Sequence, residues 1–362
     1  MSVLGKESSL AGGPEWGKIN ESTNHGFDTD QQEYHVRYND HIGYRYEVVK
    51  KLGKGSFGIV LRVFDHKEKE FVALKILKNK KRLYKQGLVE AKLIEVLNKR
   101  DPEDKKNIIK KLDQFVFRKH LVITFELLSV NLYDFIKMNN FQGFSLSLIK
   151  RFAIQILISL YYMREHNIVH CDLKPENIRL RKNKQPVILD FGIAKAGEKE
   201  DEGMTKTGVL MGTVTYMAPE QIDAKNVGPA ADRYALGIIA YELLSNRRPW
   251  PKDLSEGRIY TRKLQGNINP LHYEKPELGE KISKAVMRML SIRPEHRYSS
   301  CKNFINTLKN GGEDDFSPEE DGLNDLEARA NVRRQYSNLK ELCSELDLKV
   351  ADTQDKSIAM QR

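Results

Sequence analysis

His170-Cys171-Asp172-Leu173-Lys174-Pro175-Glu176-Asn177 and, one short strand later, Asp190-Phe191-Gly192 are the stretches that decide how this chain is read. A lone aspartate is usually a turn or cap residue. Two acids separated by a lysine, an asparagine and a strand, with Phe-Gly after the second, have little structural excuse. The three cysteines, Cys171, Cys301 and Cys343, lie too far apart for a disulfide framework or a Cys-x-x-Cys clip. A metal ion, if one is held, is therefore held by oxygen.

Upstream, Gly53-Lys54-Gly55-Ser56-Phe57-Gly58-Ile59-Val60 sits between two β-type runs, whereas a dinucleotide fingerprint would be followed by a helix. Without side chains, such a hairpin lets backbone amides approach phosphate oxygens. Val72-Ala73-Leu74-Lys75 follows on the next strand, and Glu90 lies on the helix after it, able to reach back to that lysine. Ala218-Pro219-Glu220 completes the series.

In this order the motifs form the protein-kinase signature set. The chain resembles a eukaryotic-type protein kinase over about residues 44–310. FVALKILKNKK, the NLYDFI run and HCDLKPEN are similar to the dual-specificity tyrosine-regulated kinases. PVILDFGIAKA, GTVTYMAPEQ and ADRYALGIIAYELL are similar to bacterial Ser/Thr kinases. The implied fold is α+β and bilobal, with a five-stranded antiparallel N-lobe carrying one helix and a mainly helical C-lobe.

The resemblance also implies roles. Lys75 would hold the α- and β-phosphates of ATP and be oriented by Glu90, while Asn177 and Asp190 would bind Mg²⁺ through hard oxygen ligands. Asp172 would accept or orient the acceptor hydroxyl proton, and Lys174 would stabilise the transferring phosphoryl group. The nucleotide would be lined by Leu52, Gly53, Gly55, Gly58, Val60, Ala73 and Leu189. The backbone of Glu126 to Leu128 would meet the adenine edge, with Phe125 as the bulky gatekeeper. The position expected to give an apolar floor is Arg179, which either stacks on the purine or swings outward and leaves Ile178 or Leu180 to fill in.

Scaffolding roles are implied as well: His170 stacking with Phe191, Asp232 capping the catalytic-loop backbone, and Glu220 pairing with Arg297. Cys171 replaces the arginine that would pair with an activation-loop phosphate, and it reads as inert packing. A phosphate on Thr205 or Thr207 would have to find another cation, such as Lys195 or Lys206. Lys174 together with Thr213 is the Ser/Thr type. Tyr216 is the only tyrosine between Asp190 and Glu220, which argues against tyrosine autophosphorylation there.

The rest of the chain frames this domain. Residues 1–40, rich in Gly, Ser, Asn, Asp and Gln without apolar period, read as a disordered arm. Residues 41–310 form the kinase domain, with an N-lobe over 41–128 and a C-lobe over 129–310. Strands are expected at 44–52, 59–65, 71–77, 113–118 and 120–127, and helices at 88–100, 147–166 and 231–247. Residues 311–362 read as a linker and a helix whose heptad seam, Val332 to Val350, suits docking or a weak dimer. No apolar run reaches the length of a membrane span, and the first residues lack a signal-peptide centre, so a cytoplasmic or nuclear protein is expected.

The net charge of +10 is dispersed among acidic residues, with no aromatic-basic motif, so no nucleic-acid partner is expected. Two competing classes are weaker. A pseudokinase scaffold would normally lose one of Lys75, Asp172, Asn177 or Asp190, and a small-molecule phosphotransferase would lack Ala-Pro-Glu. The expected partners are proteins bearing Ser/Thr acceptors, with the kinase itself a monomer or weak dimer.

Overall fold

The computed structural model describes residues 23–140, 144–191, 213–222, 227–251, 253–300, 303–304 and 306–307. The chain divides into two compact units, residues 1–84 with 113–124, and residues 85–112 with 125–362. The linker and heptad helix anticipated over 311–362, and Thr205, Thr207, Lys195 and Lys206, lie outside the described residues.

The first unit is built on a sheet. Strands β1 (His41–Ile42), β2 (Tyr46–Lys54), β3 (Gly58–Asp65), β4 (Glu70–Leu77), β5 (Lys111–Phe117) and β6 (His120–Glu126) run in the order β1-β2-β3-β4-β6-β5. The sequence led to five strands; the sixth is the two-residue β1, too short to show an alternating pattern of its own. β1 is antiparallel to β2, β2 to β3, and β3 to β4. Alternation then sorts the faces: Leu61, Val63, Val72, Leu74 and Ile76 are buried in the core with Tyr46, Val48 and Val122, and Val60, Ala73 and Lys75 point to the opposite face.

The expectation of a disordered arm over residues 1–40 is overturned for residues 23–40, which fold onto this core. Tyr34 is a core member, with Phe27 and Val36 packed against it. A buried polar knot fastens the segment. Asp28 accepts from His120 Nε2 at 2.7 Å, Asn24 Nδ2 at 3.0 Å and Asn79 Nδ2 at 3.0 Å. His120 Nδ1 meets the Leu77 carbonyl at 2.6 Å, so both ring nitrogens face acceptors. The Arg118 guanidinium lies 3.7 Å from the Phe27 ring centroid and donates to Tyr34 Oη at 2.9 Å. These partners come from sequence-distant residues, which a local reading of a polar, glycine-containing stretch does not register.

The second unit is mainly helical. Most of α1 (Lys81–Arg100) groups with it, since the unit boundary falls between Tyr84 and Lys85. It continues with α2 (Leu132–Met138), α3 (Leu146–Glu165), a 3₁₀ turn at Pro175–Asn177, and the antiparallel ribbon of β7 (Ile178–Leu180) and β8 (Pro186–Ile188). Then come α4 (Thr213–Tyr216), α5 (Pro219–Ile222), α6 (Pro229–Ser245), α7 (Glu256–Leu264), α8 (Leu271–Glu274) and α9 (Gly279–Met289). Helices α2 and α3 start where the side chains of Asn131 and Ser145 accept the N–H of Asp134 and Leu148, satisfying donors that have no intrahelical partner. α6 is buried along its whole length, as expected of a helix apolar on all sides. A Cβ on its Gly237 would fall 2.8 Å from Met289 Cβ and Leu290 Cδ2, so glycine is what allows α9 this close. Among the described residues no helix is long and apolar enough to cross a membrane.

Candidate active site

In the first unit, the glycine hairpin joins β2 to β3, with Gly53 opposite Val60 and the Gly55 N–H donating to the Gly58 carbonyl at 2.9 Å. A Cβ on Gly53 or Gly55 would meet no atom within 4 Å, so the space beside these two residues is open to a ligand. Gly58 has a different reason to be glycine: its Cβ would fall 2.1 Å from the Ile76 carbonyl oxygen. Lys75 stands directly opposite Val60 in the β3–β4 ladder, and Ala73 shares its face two residues earlier. Leu52 is exposed on β2.

In the second unit, Phe125 is buried near the end of β6 and Glu90 is half-buried on α1. The connection after β6 holds a surprise. Glu126 N–H donates to the Lys110 carbonyl at 3.0 Å and is committed there. The Glu126 carbonyl and Leu128 remain to meet a base. The Glu126 side chain is clamped by Arg181, whose Nε and Nη2 donate to its two carboxylate oxygens at 2.9 and 2.7 Å, with Asp104 on the same guanidinium at 2.9 Å.

Arg179 points away from Ile178 and Leu180, because neighbours on a strand face opposite sides. Ile178 and Leu180 are both buried. The Arg179 guanidinium donates to the Ser129 carbonyl at 2.9 Å, in a hydrogen bond near the protein surface.

The catalytic loop is held from beneath by α6. Buried Asp232 accepts the N–H of His170 at 2.7 Å and of Cys171 at 2.9 Å. Burial raises its carboxyl above the usual range, partly offset by His170 and by those two N–H groups. His170 Nε2 lies 3.1 Å from the Leu189 carbonyl and its Nδ1 accepts the N–H of Asp172 at 3.2 Å, which assigns the Nε2–H tautomer. Its ring lies 5.3 Å from that of Phe191. Leu189 N–H donates to the Asn177 carbonyl, so β8 and the loop are tied on both sides.

These ties aim the polar groups. Asp172 Oδ2 accepts from Lys174 Nζ at 2.9 Å and Asn177 Nδ2 at 3.2 Å, and Nδ2 also donates to the Asp172 carbonyl at 2.8 Å. With its nitrogen committed, Asn177 has Oδ1 to offer a cation. Asp190 is exposed just beyond β8 at a positive φ of 56°, a conformation costly for a non-glycine residue. Cys171 also has a positive φ, 63°. Burial, then the negative charges of Asp232 and Asp172, push its thiol pKa strongly upward, so it is an inert packing residue.

A second set of contacts shapes the segment that ends in α5. Arg297, fully buried, makes a bidentate pair with Glu220 at 2.6 and 2.8 Å and donates to the carbonyls of Ala230, Ser291 and Ile292. Removing one partner of such a pair costs roughly 3–5 kcal/mol. Gln221 bridges this segment to the catalytic loop, donating to the Cys171 carbonyl at 2.8 Å and accepting the Ala218 N–H at 2.9 Å. Lys263 is buried with Nζ on the carbonyls of Val214, Thr215 and Met217, and burial depresses its pKa. Tyr216 donates its hydroxyl to Glu242 in a buried bond, which removes it as a surface acceptor.

Sequence reasoning missed Arg181, Gln221 and Lys263. Only Lys263 left a signal, lying one turn after Ile259 on the apolar stripe of α7.

A catalytic loop fixed by a buried aspartate, an acid within reach of a lysine and an asparagine, and an Ala-Pro-Glu segment locked by arginine are the arrangement of the protein-kinase class. The chain belongs to the protein kinase domain family, whose sequence profile matches residues 46–308. It is similar to the dual specificity tyrosine-phosphorylation-regulated kinase mbk-2 of Caenorhabditis elegans, 42% identical over 231 residues that cover 63% of this chain and 28% of that protein. It is 43% identical over 227 residues to dual specificity tyrosine-phosphorylation-regulated kinase 4 of Homo sapiens, covering 62% of this chain and 42% of that one. With kinase 3 of the same series from Homo sapiens the identity is 40% over 292 residues, covering 79% and 47%. The chain thus spans less than half the length of each of these relatives.

Proposed function

We propose that this chain is an active protein kinase that transfers the γ-phosphoryl group of Mg·ATP to Ser/Thr hydroxyls of protein substrates. Tyrosine is a second acceptor class in this proposal, on the strength of the relatives' dual specificity. The observation that carries the reading is the convergence of Lys174 Nζ and Asn177 Nδ2 on one oxygen of Asp172.

The residues fit Mg·ATP on two counts. Open space flanks Gly53 and Gly55, where backbone amides can meet phosphate oxygens. The carboxylate of Asp190 and Oδ1 of Asn177 are the hard oxygen donors that Mg²⁺ prefers. When bound, the metal nucleotide supplies an electrophilic phosphoryl group with its charge partly neutralised.

Asp172, fixed by its two partners and by its N–H on His170, would orient an acceptor hydroxyl and take its proton. Lys174 is paired with that same carboxylate at 2.9 Å, and a small rotation of its long side chain would carry its charge to the transferring group. Lys75 would anchor the α- and β-phosphates. No member of this set is missing, so a scaffold without turnover has nothing to support it.

The test is incubation with labelled ATP, Mg²⁺ and casein or myelin basic protein, with Asp172→Ala and Asp190→Asn in parallel. Wild type should label the acceptors. Asp172→Ala should lose on the order of 10²–10⁴-fold in turnover with nucleotide affinity kept, as expected when a proton-accepting group is removed. Undiminished turnover in Asp172→Ala would remove Asp172 from its role, and a wild type that binds nucleotide without transfer would reduce the chain to a scaffold.

A further inference from the structure

On the edge of the first unit, away from every residue assigned above, two histidines and a glutamate converge. His41 of β1 stands directly opposite Glu47 of β2, and Glu47 stands opposite Phe64 of β3. His66 follows β3 immediately, its N–H donating to the Arg45 carbonyl at 3.1 Å. One ligand atom from each of His41, Glu47 and His66 lies within 4.8 Å of the other two. We propose that these three residues form a binding site for a divalent transition-metal ion, with zinc the best match.

The chemistry favours such an ion over the hard cation of the kinase reaction, so the expectation that a metal is held by oxygen would extend only to the nucleotide's cation. Two imidazoles and one carboxylate suit zinc and its neighbours, whereas Mg²⁺ and Ca²⁺ select oxygen donors. Three protein ligands leave a fourth position for water, and His41 is exposed, so solvent reaches that position. The ion would have to draw the ligands into range. Zinc–ligand bonds of about 2.0–2.2 Å in tetrahedral geometry place ligand atoms roughly 3.4 Å apart. The His66 Nε2 to Glu47 Oε2 distance of 2.8 Å would open slightly, and the widest separation would close through side-chain rotation.

A hydrogen bond between His66 and Glu47 is the simpler account of that pair. It leaves His41 unexplained. The His41 and His66 rings lie 5.1 Å apart at 30°, presenting two imidazoles to one carboxylate, and a shared ion gives all three a purpose. The support is preorganised: His66 is held edge-on by Phe64 at 5.1 Å and 89°, and all three ligands sit on or beside ladder-bonded backbone. Nearby positive charge is already compensated, Arg45 by Asp65 and Asp113, and Lys67 by Glu68. An ion here would strap the two-residue edge strand β1 to the end of β3 across β2.

The experiment uses the full chain, freed of metal with EDTA, dialysed and titrated with ZnCl₂ by calorimetry. Cobalt(II) absorption and melting temperature with and without metal are read in parallel, for wild type, His41→Ala and His66→Ala. Wild type should take up one equivalent with a rise in melting temperature and a tetrahedral cobalt spectrum. Either substitution should weaken that equivalent at least ten-fold and abolish the spectrum, with the metal-free melting temperature little changed. Should a variant fail to fold, the cobalt spectrum of wild type in competition with Glu47→Gln decides. Zinc uptake unaltered by the substitutions, or no uptake by wild type below millimolar zinc, overturns the site.

Discussion

The carboxylate of Asp232, on α6, accepts the backbone N–H of His170 at 2.7 Å and so sets the position of a loop 62 residues earlier in the chain. Its other oxygen takes the N–H of Cys171. Asp232→Asn would turn one of these acceptors into a donor facing another donor. The loop would shift, and displacements near 1 Å at a reacting centre can cost about 10²-fold in rate. We expect turnover to fall by about that factor with the Michaelis constant for ATP little altered, while the melting temperature drops by several degrees. Steady-state kinetics beside thermal denaturation check this.

Arg179 is anchored on the Ser129 carbonyl by a hydrogen bond at the protein surface. Such a bond contributes about 0.5–1.5 kcal/mol net. Arg179→Leu should therefore leave stability nearly intact and nucleotide affinity unchanged or a few-fold tighter. Titration calorimetry reads the outcome, and a ten-fold loss of affinity would show that the guanidinium stacks on the base.

The knot of Asp28, His120, Asn24 and Asn79 makes residues 23–40 part of the folded first unit. Asp28→Ala would leave the buried His120 Nε2 without its acceptor and take one acceptor from Asn24 and Asn79, and a buried polar group stripped of its partner costs about 1–3 kcal/mol. We expect a clear drop in the urea midpoint, with His120→Ala similarly affected and the double variant far from additive. An additive pair would show that the two residues act independently.

Glu95 on α1 is ringed by Lys92, Lys99 and Lys111. Hydrogen bonds from Lys99 and Lys111, the largest causes, bring its pKa down to about 2. A carboxyl depressed in the folded state contributes stability that is fully present above its ordinary value near 4.5 and is lost as pH falls towards 2. Because Glu95 is 28% exposed, solvent screening reduces the contribution to about 1 kcal/mol. Glu95→Gln should lower the urea midpoint at pH 7, with the difference from wild type shrinking below pH 4.5 and nearly gone by pH 2.

The short motifs were legible because each needs particular residue types at fixed local spacing. His170 to Asn177, Asp190-Phe191 and the glycine hairpin carry their chemistry within a few residues. The pairing of Glu220 with Arg297 and of Asp232 with the loop could be anticipated only through the resemblance. Residues 23–40 were misread because their burial depends on His120 and Asn79, which lie far along the chain. The floor position was left open because a side chain as long as Arg179 has two destinations, and sequence does not rank them.

The order and identity of the motifs were thus settled by the amino-acid sequence alone, since the reaction demands certain acids, a lysine, an asparagine and glycines wherever the chain folds. Tertiary structure decided which way Arg179 turns, that Glu126 spends its N–H on Lys110, that Lys263 is buried under three carbonyls, and that His41, Glu47 and His66 meet. Those outcomes depend on contacts between distant segments, where burial makes each polar group find a partner. Local propensity carries no record of which partner that will be.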